Sequence, residues 1–132
     1  VAASAIAGKG GSVKLNTTPV TTVALIDKWD GTLTQALYDQ TSLGDSWTSD
    51  VGGLKDLKGT ITGKWDVTAD TGQTVLHNAI LNGVTVGLNL LVNNTDGYEL
   101  TANLDTFQTS DPVNGLVTFT CTFKNFGQVF FL

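Results

Sequence analysis

The chain has 132 residues, 41% of them apolar and 14% charged, with a formal net charge of −5 and a pI near 4.4. That length makes one domain able to bury a real core, and the charged fraction sits below the ~25% typical of soluble domains. All seven basic residues are lysines and Cys121 is the only cysteine, which excludes the arginine forks of a sequence-specific nucleic-acid reader and any intramolecular disulfide.

The opening Val-Ala-Ala-Ser-Ala-Ile-Ala-Gly-Lys-Gly lacks a basic leader and a hydrophobic signal core, so 1–11 reads as an arm. Val13 to Leu15 start a short strand, and Asn16-Thr17-Thr18-Pro19 turns the chain. Residues 20–26 are β-branched and apolar on both faces, as a central strand would be. The polar run Asp27 to Gly31 is expected to break it, and Thr32 to Tyr38 resumes as a strand.

From Leu43 to Asp56 neither helical nor strand periodicity is evident. A loop of that length (43–56) in a compact domain is expected to be functional or mobile. Leu57, Gly59, Ile61, Gly63 and Trp65 then alternate with Lys58, Thr60, Thr62, Lys64 and Asp66, the period of a half-buried strand. Trp65 is expected in the core, and the glycines imply a close approach by another backbone or ring.

A single helix is predicted over 70–82. Asp70 is its N-cap, Gln73 completes a capping box, Val75, Leu76, Ala79 and Ile80 make the apolar stripe, and Gly83 is the C-cap. Three strands follow. Residues 84–92 alternate, and Asp96-Gly97 signals a hairpin. Tyr98, Leu100, Ala102 and Leu104 then oppose Glu99, Thr101, Asn103 and Asp105; Val117, Phe119, Cys121 and Phe123 oppose Thr118, Thr120, Thr122 and Lys124. About seven mostly antiparallel strands and one helix predict a mainly β fold, a β-sandwich or part-closed barrel with a flanking helix. No apolar run reaches the ~18 residues of a membrane span.

Chemistry-bearing residues are sparse. His77, the only histidine, lies on the helix without a nucleophile or second ligand beside it in sequence. Cys121 alternates with core aromatics and reads as a small buried residue. Gly8-Lys9-Gly10-Gly11 lacks the phosphate-loop pattern, and Asp45, Asp50 and Asp56 lack calcium-loop spacing. The expectation is a non-enzymatic chain without metal or cofactor. Trp47, between Asp45-Ser46 and Thr48-Ser49, either folds onto its own core, anchors a protein partner or stacks on a sugar. Val129-Phe130-Phe131-Leu132, in the C-terminal segment 126–132, either closes a strand within the subunit or docks on a neighbour; burying such side chains is worth about 1.5–3 kcal/mol each.

Several stretches taken in order resemble the major tail tube proteins of long-tailed, non-contractile bacteriophages. They are Ala-Gly-Lys-Gly-Gly-Ser-Val-Lys-Leu (7–15), Leu-Gly-Asp-Ser-Trp (43–47), Gly-Leu-Lys-Asp-Leu-Lys-Gly-Thr-Ile-Thr-Gly-Lys-Trp-Asp (53–66), Asp-Thr-Gly-Gln-Thr-Val-Leu-His-Asn-Ala-Ile-Leu-Asn-Gly (70–83) and Asp-Pro-Val-Asn-Gly-Leu-Val-Thr-Phe (111–119). The resemblance implies a β-sandwich shared with type VI secretion tube proteins. Six subunits form a ring, each contributing strands to an inner β-barrel, and rings stack into the hollow tail of the virion, made from subunits produced in the host bacterial cytoplasm. Tape-measure, tail terminator and tail-tip proteins are its implied partners, and double-stranded DNA passes through the lumen without specific binding.

On that resemblance the long loop, with Leu43, Asp45, Trp47, Val51 and Leu54, and the C-terminal Val129, Phe130, Phe131 and Leu132 form inter-ring and inter-subunit contacts. Glu99, Thr101, Asn103, Asp105, Thr118, Thr120 and Thr122 are candidate lumen-facing residues. Lys58 and Lys64 share a polar strand face, so acidity of the lumen face does not follow from the sequence. The competing readings are a head-decoration or other tail protein, and a carbohydrate-binding or adhesin module built on Trp29, Trp47 and Trp65.

Overall fold

A computed structural model describes residues 6, 8–16, 21–65, 71–93 and 95–132. Its elements are β1 (Ser12–Leu15), β2 (Thr21–Thr22), β3 (Ile26–Asp39), β4 (Asp50–Lys64), α1 (Thr71–Asn82), β5 (Val86–Leu91), β6 (Gly97–Ser110), β7 (Thr118–Asn125) and β8 (Phe130–Phe131). All strands belong to one antiparallel sheet in the order β2-β1-β5-β6-β7-β4-β3, and β8 pairs with β6.

The sheet folds over on itself around one core. Three strands separate β3, which carries Trp29, from β5 in sheet order, yet the Trp29 indole Nε1 donates to the Leu91 carbonyl at 3.0 Å, and its ring meets Tyr98 edge-on. Alternation puts Val13, Leu15, Leu57, Ile61, Leu88, Leu90, Leu100, Phe119, Cys121 and Phe123 inside. Leu76 and Ala79 bring the apolar stripe of α1 onto the same core. Burial pushes the Cys121 thiol up to about 12, because the apolar interior disfavours a thiolate.

A bulge between Leu104 and Thr106 shifts the register of β6 against β7. Without it, Phe107 would sit on the same face as Asn103. With it, Phe107 turns inward and stacks on Phe119 at 5.1 Å. This is how β6 runs on to Ser110, past the end expected near Asp105.

Four further expectations change. Within the central strand expected over 20–26, the described residues form the two-residue edge strand β2, a turn and the first residue of β3; Leu25 adopts a left-handed φ of 57° in the turn, which no strand accommodates. The expected break at Asp27–Gly31 lies inside β3, because a bulge between Ile26 and Lys28 lets the polar residues face outward while Trp29 turns in. Trp65 stands just past β4 and is 39% exposed, its edge against Phe107, rather than enclosed. The loop over 43–56 shortens to residues 40–49, since Asp50 to Asp56 are strand paired with β3.

The helix starts at Thr71; the cap at Asp70 lies outside the described residues. Gln73 is buried, and its side-chain Nε2 donates to the carbonyls of Ala24 and Lys64, at 2.9 Å each. One amide thus ties the helix to the β2–β3 turn and to the end of β4.

Candidate functional site

Two surfaces separate from the rest of the molecule. The first is the outer face of the four strands β6-β7-β4-β3. Antiparallel pairing places partners on the same face, and the registers form continuous rows: Asn103, Lys124, Lys58 and Thr32; Thr106, Thr122, Thr60 and Asp30; Gln108, Thr120, Thr62 and Lys28. The rows form a polar wall with a shallow trough of about 850 Å³, into which Asp105 also projects from the bulge. Thr106 and Thr122 share a hydroxyl hydrogen bond at 2.6 Å.

The charges of this wall are matched. Lys124 lies 3.8 Å from Asp56, Lys28 lies 3.7 Å from Asp30, and Lys64 pairs with Asp27. Thr34 donates to Asp56. With Lys58 and Asp105 included, four lysines face four aspartates, so the net charge of −5 resides on the rest of the chain. The wall takes in Asn103, Asp105, Thr118, Thr120 and Thr122 from the sequence-predicted set. Glu99 and Thr101 pair with Asn89 and Gly87 instead and lie on the outer face of the other half of the sheet. Thr60, Thr62, Thr106 and Gln108 were missed by the sequence reading; the threonine alternation of 57–66 was the available signal for the first two.

The second surface is the β3–β4 ribbon. Pairing of β4 with β7 ends at Lys58, whereas pairing with β3 runs on to Asp39 and Asp50. The two strands therefore project together beyond the sheet. Such a two-stranded ribbon is marginal alone, and this one leaves Leu33, Leu37, Tyr38, Leu43, Trp47, Val51 and Leu54 exposed. Exposed apolar side chains grouped in this way make the ribbon a candidate interaction surface.

The tip of the ribbon is internally closed. Gln40 N donates to Ser49 O at 2.8 Å, Ser42 N to Asp45 Oδ2 at 2.7 Å, and Asp45 N to Ser42 O at 3.1 Å. The Thr41 hydroxyl and backbone N–H hold the Asp39 carboxyl below its usual range. Trp47 remains 86% exposed, so it does not fold onto its own core. Leu33, Leu37 and Tyr38 were missed as surface residues, because apolar alternation in a strand reads as burial.

The C-terminal segment divides its roles. β8 pairs with Tyr98 and Glu99, and Val129 packs on the core. Phe130 and Leu132 nevertheless stay exposed, and Phe131 is 83% exposed against one edge of Tyr98. The backbone closes a strand within the subunit while the aromatic side chains look outward.

Among the described residues no cluster of three or more metal-ligating side chains forms. His77 is on the surface with its ring edge-on to Phe107. Asp45 caps the ribbon tip and Asp56 is engaged by Thr34 and Lys124.

No family model matches the sequence, and no curated protein matches it either. Solved structures do match its fold. A subunit from the tail of an empty gene transfer agent particle, refined with helical C6 symmetry, superposes with a TM-score of 0.85 at 18% identity, over 97% of this chain and 99% of that one. The SPP1 tail tube gives 0.77 at 16% identity, over 93% and 77%. A protein of the sixfold-symmetrised anti-feeding prophage baseplate gives 0.65 at 14%, over 100% and 97%. The chain has the tail-tube fold.

Proposed function

We propose that this protein is a structural, non-catalytic subunit of a phage-type tail tube, assembled from rings of six copies stacked end to end. The observation that carries the reading is the four-stranded wall with both its edges open. Among the described residues no strand pairs with the outer edge of β3, and the 103–110 part of β6 has a strand on one side only. Free edges of this length invite pairing with another chain. Joining β3 of one copy to β6 of the next repeats the wall around a closed ring, and closure removes every edge. The C6 symmetry of the gene transfer agent tail with which the chain shares its fold supports six.

In that ring the polar wall faces the lumen. Its balanced charges, four lysines against four aspartates, suit a passage for double-stranded DNA, which meets neither a net cationic surface nor a dense field of like charge. The ribbon, with Leu43, Asp45, Trp47, Val51 and Leu54, reaches the adjoining ring, and Phe130, Phe131 and Leu132 pack on a neighbouring subunit. Tape-measure, terminator and tail-tip proteins would meet the tube from inside and at its ends. Such a subunit acts in the virion, as part of the tail.

Electron microscopy of the concentrated protein tests this: hollow tubes or stacked sixfold rings are expected. The likeness to a baseplate protein favours a second reading, in which the chain forms one ring at the end of a tail. Discrete single rings that never stack would select it, and a protein that stays monomeric both alone and in the presence of tail-tip complexes would overturn both.

A further inference from the structure

The exposed ribbon tip needs a receptor, and the chain carries one at the opposite end of the same strand. Beside Ile26–Trp29 a pocket of about 470 Å³ opens between the start of β3 and the Gly8–Ser12 segment, floored by Ile26, Trp29, Leu91 and Val92. Lys9 and Lys28 stand at its rim. Lys9 makes no ion pair among the described residues, whereas Lys28 is paired with Asp30 and the Asp27 carboxylate there is engaged by Lys64. The tip offers the complement. Leu43 and Trp47 are almost wholly exposed, and Asp39, Asp45 and Asp50 surround them, with Asp39 directly opposite Asp50 across the ribbon. Like charges placed opposite each other are unfavourable within one chain, and a cation from outside relieves them.

We infer that the tip of one copy seats in this pocket of the next, with Trp47 or Leu43 entering the apolar floor and the three aspartates meeting Lys9. The occupant is a second copy of this chain, on charge complementarity and on direction. About ten residues of β3 separate Trp29 from Asp39, roughly 33 Å at about 3.3 Å per residue, so tip and pocket point opposite ways. A contact between two different patches facing opposite ways does not close on itself but repeats along an axis. The inference rests on the tube reading and adds its axial receptor.

The test uses the full chain with Lys9→Glu, Asp45→Lys, and both together; residues 9 and 45 are exposed, and a thermal melt checks that each variant folds. Each single reversal is expected to raise the critical concentration for tube growth by about tenfold or more, and the double reversal to recover most of that loss. Mixed one to one, the single variants complement each other at both junctions, the native tip of Lys9→Glu on the native pocket of Asp45→Lys and the reversed tip of Asp45→Lys on the reversed pocket of Lys9→Glu. They should therefore grow mixed tubes at a concentration at which neither variant grows them alone. Tubes from Lys9→Glu at the wild-type concentration would overturn the receptor while leaving the tube reading intact. A wild-type chain that forms neither rings nor tubes would remove both.

Discussion

Gly59 shows how tightly the wall is built. A Cβ placed there would lie 1.8 Å from the Asp30 carbonyl oxygen on β3, a backbone atom with nowhere to move. Gly59→Ala is therefore expected to destabilise the fold by about 3 kcal/mol or more, read as a lower urea midpoint at unchanged m-value. Cys121 gives a second residue-scale expectation. Its folded pKa of about 12 stands above the ordinary thiol value of 9.0, so the unfolded chain loses its proton first. The contribution is fully present below pH 9 and is lost as pH rises towards 12, with a slope of at most about 1.4 kcal/mol per pH unit. Cys121→Ala should flatten that part of the alkaline stability profile; an unchanged profile would mean that the thiol ionises freely in the folded chain.

Among elements, α1 is held to the sheet by more than its apolar stripe. The Gln73 amide satisfies carbonyls on the β2–β3 turn and at the end of β4. Gln73→Leu keeps the volume and leaves both carbonyls without that donor, a cost of about 2–4 kcal/mol by chemical denaturation. The ribbon predicts the opposite separation. Trp47→Ala removes a side chain with almost no intramolecular packing, so stability should change by less than about 0.5 kcal/mol while ring stacking weakens; normal tubes from this variant would deprive the tip of its role. Deleting 129–132 combines both effects. It removes Val129 from the core and β8 from β6, so folding is weakened along with assembly, and an assembly defect alone would place the segment outside the subunit core.

For the molecule as a whole, the distribution of charge matters more than its sum. The wall is neutral because each of three lysines has an aspartate beside it. Asp30→Asn with Asp56→Asn unmasks Lys28 and Lys124 while Lys58 stays directly opposite Lys124. Assembled material carrying both changes should retain duplex DNA at low salt and release it as salt rises, whereas the wild type should not retain it. Retention by the wild type under the same conditions would mean that the wall is not electrostatically neutral towards a polyanion.

The strand-rich class, the helix and most of the core were legible in the sequence, because period two and period 3.6 are local consequences of backbone geometry. Leu57, Ile61, Leu88, Leu100, Phe119, Cys121 and Phe123 all lie where their alternation put them. The sequence also marked Trp47 and the threonine faces as unusual. The tertiary structure alone decided three things. The Leu104–Thr106 bulge reassigned Phe107 to the core and Thr106 to the wall, since one extra residue inverts every later side chain. The folding-over of the sheet separated Glu99 and Thr101 from the threonines of β7, which no alternation encodes. Finally, pairing of β3 with β4 beyond the last partner of β7 turned an apparent loop into a ribbon with apolar flanks. Alternation reports which residues share a face, whereas whether that face is covered depends on contacts distant in sequence.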